Sequence, residues 1–237
     1  ACLAESAERG ADTLRGMSGL MEPSEDIKLR RKAPPEVRRQ QLIDAAMETI
    51  ADKGITGATA ANVTKQAGLS LGIVSLHFGG MKGLLTATLR HLAEEMRDVW
   101  ADAYADVQAA PADRLRAIIE AIFAEKVCTP TKIAVWFAFF GEAQYRDTYR
   151  EFVDKFDTER EDALADLCEH IQRDGGYHDI VPKELATSIE SLADGLWLSL
   201  LLYPNWLTPD KARTQIMNMV AAHFPDHFTP QRDCGAA

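Results

Sequence analysis

The sequence predicts an all-α protein, and three observations support this fold class. After residue 34, apolar residues recur at spacings of three and four, the period of one helix face. No run of residues shows the sustained alternation of apolar and polar positions that is typical of half-buried strands. Proline and glycine interrupt the periodic segments, as expected between helices. We therefore expect a three-helix N-terminal module followed by a larger helical body.

Length and composition indicate a globular chain with a sizeable core, because 46% of its 237 residues are hydrophobic. The longest apolar windows, 133–140 and 196–203, are shorter than the roughly 18 to 20 residues of a membrane-spanning helix. The first twenty residues carry charges and lack the continuous apolar block of a secretory signal. We therefore expect a cytoplasmic protein without a membrane span.

Cysteine and histidine residues do not form a ligand pattern. The four cysteines and six histidines are too scattered for a zinc cluster or a disulfide framework. The sequence also has no Gly-rich phosphate loop, nucleophile elbow or His-rich ligand set. We expect reduced thiols, no metal, no cofactor and no enzymatic activity.

Charge is distributed unevenly along the chain. The net charge of the whole chain is −10, but residues 27–91 carry +6 and residues 92–237 carry −12. A basic N-terminal module joined to an acidic body is expected when one end of a protein meets phosphates and the other does not.

The N-terminal elements follow from capping residues and glycine stops. Residues 1–33 form a segment that we expect to be disordered or extended, and Pro35 suits the first turn of a helix. An apolar stripe then runs to Gly54, which provides a left-handed stop. Thr59 is a capping residue for a second helix, which ends after about eight residues at Gly68.

A third short helix follows after a very tight connection. Ser70 is again a capping residue type, and the helix extends to Phe78. A fourth helix, from Lys82 to about Tyr104, links this module, residues 34–82, to the rest of the chain.

The body, residues 83–225, is predicted to contain five more helices, separated by proline and Gly-Gly positions. These helices span Ala112–Val127, Thr131–Gln144, Arg146–Arg173, Lys183–Tyr203 and Pro209–His223. The last two are amphipathic and suited to pack against their two-fold mates as a four-helix dimer interface. Residues 226–237 are expected to form a flexible tail.

Two short helices joined by a tight turn that contains glycine form a helix-turn-helix unit, whose second helix enters the major groove of DNA. Apolar positions face the small core of the module at Val63, Leu69, Val74 and Phe78. The opposite side points outward at Leu71, Gly72, Ser75 and Leu76. Because this outward side has no carboxylate, it suits close approach to bases and thymine methyl groups. Thr59 and Ser70, at helix N-termini, can donate to phosphates.

The spacing of these residues resembles the N-terminal signature of the tetracycline-repressor (TetR) family. The resemblance covers roughly residues 38 to 90 and rests on Gly54-Ile-Thr-Gly-Ala-Thr59, on Val63-Thr-Lys-Gln-Ala-Gly-Leu-Ser-Leu-Gly-Ile-Val-Ser-Leu-His-Phe78, and on Leu84-Leu85. It implies a homodimer that binds a palindromic operator. It also implies DNA contacts at Thr59, Leu71, Gly72, Ile73, Ser75, Leu76 and His77.

Two positions depart from the family pattern. Residue 77 is commonly an aromatic hydroxyl in the family but is histidine here, and the usual lysine three residues after Phe78 is replaced by Met81, with Lys82 one place later. We expect His77 and Lys82 to contact phosphates in their stead. Basic residues just before the DNA-binding helices are also expected to contact phosphate or the minor groove: Lys28, Arg30, Arg31, Lys32, Arg38 and Arg39.

Aromatic residues cluster on two segments of the body, and most must belong to the core. The segments Trp136-Phe-Ala-Phe-Phe140 and Asp194-Gly-Leu-Trp-Leu198 resemble the choline-sensing repressors of glycine-betaine synthesis (BetI type). That resemblance implies an effector such as choline or another quaternary ammonium ion, which aromatic faces and a carboxylate can hold. The candidate effector-binding residues are Trp136, Phe140, Tyr145, Asp157, Asp194 and Trp197.

Regulation requires that the effector prefer one of two body shapes, and a shift of the helix from Lys82 to Tyr104 would change the separation of the two DNA-binding heads. Release of DNA by the effector is the habit of the family. Two alternatives stay open: a neutral aromatic, lipid or acyl effector, and a body that docks a protein and takes no small molecule.

Overall fold

The computed structural model describes residues 34–142, 145, 147, 150 and 153–231. The predicted extended segment 1–33 and the last six residues, 232–237, lie outside the described residues. Within the described part the fold is all-α, as predicted. Its helices are α1 (Pro35–Gly57), α2 (Ala60–Ala67), α3 (Ile73–Phe78), α4 (Met81–Ala105), α5 (Pro111–Ile122), α6 (Pro130–Gly141), α7 (Asp154–Gly175), α8 (Pro182–Leu202) and α9 (Pro209–His223).

The chain divides into two compact units, residues 1–38 and 39–237. Of the first unit the structure describes Pro34 and residues 35–38 at the start of α1, where the Arg38 N–H donates to the Pro34 carbonyl at 3.1 Å. All contacts described below lie within the second unit.

Caps and glycines set the ends of the short N-terminal helices. Gly54 has φ 70°, so the left-handed residue predicted there is confirmed, although helical turns continue to Gly57. The Thr59 hydroxyl accepts from the Asn62 N–H at 3.3 Å and caps α2, as predicted, and Gly68 ends that helix with φ 66°.

The predicted start of the third helix at Ser70 is wrong. Residues Leu71 and Gly72 form a turn, and α3 begins at Ile73 with Gly72 as its first flanking residue and no side-chain cap. The Ser70 carbonyl, and not its hydroxyl, accepts the Ile73 N–H at 3.1 Å. Ser70 therefore closes a turn before α3 and does not cap it.

The helix α4 connects the N-terminal module to the body. Near its start it buries Leu84, Leu85 and Leu89 and packs against α3. Further along it buries Met96 and Trp100 and packs against α5, α6 and α7.

In the body, α7 and α8 form the most extensive helix pair, and α8 also packs against α6 and α9. By length and composition α8 could cross a membrane, since an 18-residue window within it has a mean hydropathy of 1.3. The window is not an uninterrupted apolar stretch, since Glu190 and Asp194 lie within it. Because Ile189, Trp197 and five other residues of α8 are buried among its neighbours, we assign it as a core helix of the body.

The predicted flexible tail is wrong for its first six residues, 226–231. Phe228 is only 2% exposed, and the His227 ring bonds Tyr177 Oη and Asp174 Oδ2, each at 3.0 Å. The Asn218 side-chain amide donates to the Gln231 carbonyl at 2.9 Å. An apolar anchor and these polar contacts hold the segment against the body.

Two cysteines lie in the described core of the body. Burial raises the pKa of the Cys128 thiol to about 11 and that of the Cys168 thiol to about 12. Both thiols are free and stay protonated near neutral pH, which makes them poor nucleophiles.

Candidate DNA-reading surface and effector cavity

The outward face of the second helix-turn-helix element is apolar and exposed. Leu71 is 61% exposed and Leu76 is 75% exposed, and Gly72 and Ser75 beside them are also exposed. We call these four residues the reading face. Val63 and Val74 on the opposite side are buried, while Leu69 and Phe78 are partly buried against the core, as predicted.

The remaining predicted DNA contacts occupy different environments. Thr59, Ser70 and Lys82 are exposed, and His77 and Arg38 are partly buried. Ile73, however, packs against the core and is only partly exposed. It points less fully outward than the resemblance implied.

Two side chains of α1 bind the ends of the helix-turn-helix elements, a feature that sequence analysis missed. Arg39 Nη1 donates to the His77 carbonyl, and the guanidinium carbon of Arg39 lies 4.3 Å from the centroid of the Phe78 ring. Gln41 Nε2 donates to the Ala67 carbonyl at 2.7 Å. The sequence predicts that Arg39 contacts phosphate or the minor groove, whereas in the structure it binds groups of the protein itself.

The body contains a cavity of about 360 Å³ between α4, α6, α7 and α8, with Ile122 of α5 also in its lining. Six aromatic rings contribute to its lining: Trp100, Trp136, Phe137, Phe140, Phe156 and Trp197. Five carboxylates and two guanidinium groups also line it, which leaves an excess of negative charge: Asp154, Asp157, Glu161, Glu190 and Asp194, with Arg97 and Arg160. We call this space the effector cavity.

Five of the six predicted effector residues line this cavity: Trp136, Phe140, Asp157, Asp194 and Trp197. The sixth, Tyr145, is not among the lining residues. Its ring packs edge-to-face on Phe139, with centroids 5.6 Å apart, and burial together with nearby Glu142 raises the pKa of its hydroxyl. We therefore remove Tyr145 from the candidate site, since its ring packs on Phe139 of α6 and does not line the cavity.

Several lining residues had no signal that sequence analysis used. The helix α4 contributes Ala93, Met96, Arg97 and Trp100, whose spacing of three and four residues puts them on one face. That face could have been identified as amphipathic, but nothing in the sequence shows that it lines a cavity. Phe156, near the start of α7, similarly stands among charged residues and gives no aromatic cluster.

The basic groups of the cavity are committed to particular carboxylates. The Arg160 side chain is only 12% exposed, and its Nε lies 2.8 Å and 3.0 Å from the two Glu190 oxygens. Burial alone would lower the pKa of Arg160. The bond to Glu190 and the charge of nearby Asp157 outweigh that effect and raise the pKa above its ordinary value. The Arg97 Nε donates to Glu159 Oε2 at 2.9 Å. Neither guanidinium is therefore available to neutralise the whole acidic wall.

Asp194 is a lining carboxylate that these pairs leave over, as is Asp154 at the start of α7. No hydrogen bond or ion pair to it occurs among the described residues, although Glu190, Asp157 and Arg160 lie near enough to influence its charge. Solvent reaches the side chain, yet the surrounding protein displaces enough water to raise its pKa, and the two neighbouring carboxylates raise it further, to about 6. Arg160 opposes this shift only in part. An unpaired carboxylate beside aromatic rings is a site that favours a cation.

Both the N-terminal module and the body match known protein families. Residues 42–88 match the family described as bacterial regulatory proteins of the tetR family. Residues 111–225 match the C-terminal domain of BetI-type transcriptional repressors.

Individual relatives extend the similarity across most of the chain. The HTH-type transcriptional regulator BetI 1 of Chromohalobacter salexigens is 33% identical over 181 residues, covering 75% of this chain and 85% of the relative. The HTH-type transcriptional regulator BetI of Burkholderia thailandensis is 36% identical over 166 residues, covering 69% of this chain and 81% of the relative.

Solved structures share the fold. A transcriptional regulator from Pseudomonas aeruginosa PAO1 superposes with a TM-score of 0.69 at 24% identity, covering 81% of this chain and 92% of the other. A regulator from Saccharomonospora viridis, solved in complex with choline, superposes with a TM-score of 0.64 at 22% identity, covering 79% of this chain and 97% of the other.

These similarities confirm the TetR and BetI resemblances and the expectation that the chain is not an enzyme. The chain belongs to the TetR family of helix-turn-helix transcriptional regulators and carries a BetI-type C-terminal domain.

Proposed function

We propose that the chain is a cytoplasmic, homodimeric repressor that binds palindromic operator DNA and releases it when choline or a related quaternary ammonium ion enters the effector cavity. The observation that carries the effector class is Asp194, a carboxylate without an ion-pair partner among the described residues, in a cavity lined by six aromatic rings.

A quaternary ammonium ion suits this cavity for two physical reasons. It has no N–H group, so it needs ring faces and negative charge, and no matched set of hydrogen-bond acceptors. Each ring face at close range contributes about 0.5 to 2 kcal/mol to holding such a cation. Rings on α4, α6 and α8 can surround the cation while Asp194 supplies charge.

Two tryptophans of the cavity support a binding role over a purely structural one. The indole Nε1 atoms of Trp100 and Trp197 are buried and have no hydrogen-bond partner among the described residues. A buried, unbonded N–H reduces stability, and leucine at either position would avoid that cost. Ring faces at the cavity give a reason for keeping tryptophan there.

Relatives favour the same effector. Proteins at 33% and 36% identity are named BetI, and a structure with the same fold was solved with choline bound. The size of the cavity, about 360 Å³, lies at the lower end of the roughly 300 to 1,000 Å³ typical of small-molecule sites.

A second copy of the chain is the partner that the apolar surface of α8 favours. Leu198 and Leu202 on α8, and Tyr203 and Trp206 just after it, are exposed, with Trp206 at 69%. A two-fold dimer through α8 and α9 would bury these side chains. It would also present two reading faces, which a palindromic operator matches.

The effector cavity and the reading face are joined by one helix. One face of α4 lines the cavity at Met96, Arg97 and Trp100, while Leu84 and Leu85 near its start pack with the helix-turn-helix module. An effector that binds better when α4 is displaced would shift the population toward dimers whose heads no longer match the groove spacing.

Calorimetric titration with choline, glycine betaine and 3,3-dimethylbutan-1-ol tests the effector class. The alcohol has the shape of choline but a carbon in place of the nitrogen. We expect choline to bind and the alcohol not to bind. Equal binding of both would favour a neutral hydrophobic effector, and heat from none of them, with operator binding intact, would favour a docking body or another ligand class.

A further inference from the structure

We infer that Arg39 is a positioning residue for the DNA-reading helix, and not a phosphate contact, because it binds the His77 carbonyl and the Phe78 ring at the end of α3. This inference concerns the helix-turn-helix of a TetR-family regulator and does not depend on the identity of the effector.

The contact made by Arg39 lies at the C-terminal end of α3. Carbonyl groups in the last turn of a helix have no partner within the helix, and a cation there interacts favourably with the helix dipole. The Gly79 N–H donates to the Ser75 carbonyl at 3.0 Å, and Arg39 supplies a donor to the carbonyl of His77. The guanidinium also lies 4.3 Å from the Phe78 ring centroid, within cation–π range.

External contacts matter to α3 because the helix is short. It has six residues and no side-chain cap at its N-terminus, and so short a helix is not stable by itself in water. Its direction relative to α2 is therefore set by tertiary contacts. Val74 anchors one side in the core, while Arg39 fixes the far end.

Gln41 makes a parallel contact to the other helix of the motif. Its side-chain amide donates to the Ala67 carbonyl at 2.7 Å, at the C-terminal end of α2. Residues two apart point to different sides of a helix, so one turn of α1 reaches the ends of both α2 and α3. Arg39 and Gln41 together hold the angle between the two DNA-binding helices.

The same contacts argue against a phosphate role for Arg39. An arginine binds phosphate through its N–H donors, and here Nη1 is bound to a carbonyl while one face of the guanidinium covers a ring. Lys82, by contrast, is exposed at the start of α4 and serves as the reference for a phosphate contact.

The test compares specific with nonspecific DNA. The probe is a duplex selected by the wild-type protein from a randomised pool, beside a scrambled duplex of equal composition. Arg39→Lys keeps the charge but loses the planar group. We expect it to weaken binding to the selected duplex by about tenfold, the scale of one lost charge-assisted contact, and to leave the scrambled duplex within about twofold.

Salt dependence separates the two roles of a basic residue. Loss of a phosphate contact lowers the slope of log K against log salt by about 1, while loss of a positioning contact leaves the slope unchanged. We expect Arg39→Gln to keep the wild-type slope and Lys82→Gln to lower it. A lowered slope in Arg39→Gln that Arg39→Lys restores, or unchanged affinity in both variants, would overturn the inference.

A double-mutant cycle guards against simple unfolding of the module. Phe78→Leu removes the ring but keeps an apolar side chain, and it should weaken selected binding to a similar degree. The effects of Arg39→Gln and Phe78→Leu on DNA affinity should be less than additive, since both remove the same contact between the guanidinium and the ring. Thermal unfolding of each variant is measured alongside, and additive effects would contradict a shared positioning contact.

Discussion

The DNA contacts predicted for the helix-turn-helix module come, apart from Arg38, from one short stretch, residues 59–82, whereas the effector cavity draws its lining from five helices, between Ala93 and Trp197. The module turns apolar and small side chains outward, toward a partner outside the fold. The cavity turns rings and carboxylates inward, toward a ligand that must enter. A surface built locally can be predicted from sequence spacing, while an enclosed site depends on how distant helices pack.

Charge follows the same division. Arg39 in the module is bound to protein groups, and the reading face has no carboxylate that would repel DNA. In the cavity the two guanidinium groups are bound to Glu190 and Glu159, and Asp194 is left without a partner among the described residues. One region avoids negative charge and the other retains it, so charge substitutions should separate their functions.

Leu76→Glu should give the largest effect. The side chain is 75% exposed on the reading face, so a carboxylate there does not disturb the core but meets DNA phosphates. Like charges brought together at an interface cost several kcal/mol, so we expect affinity for the selected duplex to fall by about a hundredfold or more.

Gel-shift or fluorescence anisotropy with that duplex measures the effect, and Leu76→Gln serves as the uncharged control of similar size. Choline binding should be unchanged in both variants. Operator affinity in Leu76→Glu within about threefold of the wild type would refute the assignment of the reading face.

Asp194→Asn should give the next largest effect, this time on the effector. Removal of the unpaired carboxylate should weaken choline binding by about tenfold, a moderate loss because solvent reaches the group and screens its charge. Calorimetry measures the affinity. Operator binding without effector should be unchanged, since the main packing partners of α8 are α6, α7 and α9 and not the helices of the DNA-binding module.

The matched control is Asp154→Asn, an exposed carboxylate that also lines the cavity but stands at the start of α7. It should reduce choline affinity less than Asp194→Asn does. Equal reductions would mean that the cavity attracts the cation by its total charge, and that Asp194 has no special role.

The pH dependence of choline binding tests the same Asp194 carboxylate, with a slightly smaller expected change in affinity than the substitution gives. The pKa of Asp194 is raised to about 6, so acid converts it to the neutral form and removes the charge that binds the cation. If the protonated form binds about tenfold more weakly, as the asparagine variant should, affinity is nearly constant above pH 7 and falls by about fivefold at pH 5.

The free energy of unfolding should change with pH in the opposite direction to choline affinity, and should rise as the pH falls. Because the folded-state pKa lies above the ordinary aspartate value, ionisation of Asp194 disfavours the fold, and the wild type regains stability as pH falls through about 6. In Asp194→Asn, neither choline affinity nor folding stability should show this pH dependence. A wild-type affinity that is flat from pH 7 to pH 5 would show that another group carries the attraction.

Sequence analysis predicted the helices well where a residue type has one clear role. Thr59 caps α2 and Gly68 ends it because hydroxyl capping and left-handed glycine are local effects. Ser70 was assigned wrongly because serine also suits the turn that precedes α3, and spacing alone does not separate a cap from a turn. The tail was assigned wrongly because Phe228 is buried by packing that includes Arg116 of α5, a contact distant in sequence.

In the cavity, the predicted residues came from two aromatic segments, and those segments do meet. Trp136 and Trp197 line one space because α6 packs against α8. Trp100 was missed because α4 approaches this space from a different part of the chain. The pairing of Arg160 with Glu190, which decides that Asp194 stays unpaired, likewise depends on the packing of α7 on α8.

Tyr145→Phe should have the smallest effect and checks the correction made at that residue. The sequence placed Tyr145 among the aromatic effector residues, but its ring packs on Phe139 and is not among those lining the cavity. Loss of the hydroxyl keeps that ring contact, so choline affinity should change by less than about twofold, within the usual range for substitutions away from a site. Trp197→Phe, which shrinks a ring that does line the cavity, should weaken choline severalfold in the same calorimetric assay. A larger loss for Tyr145→Phe than for Trp197→Phe would mean that the bound state brings Tyr145 into the cavity, and that the free structure shows only part of the effector site.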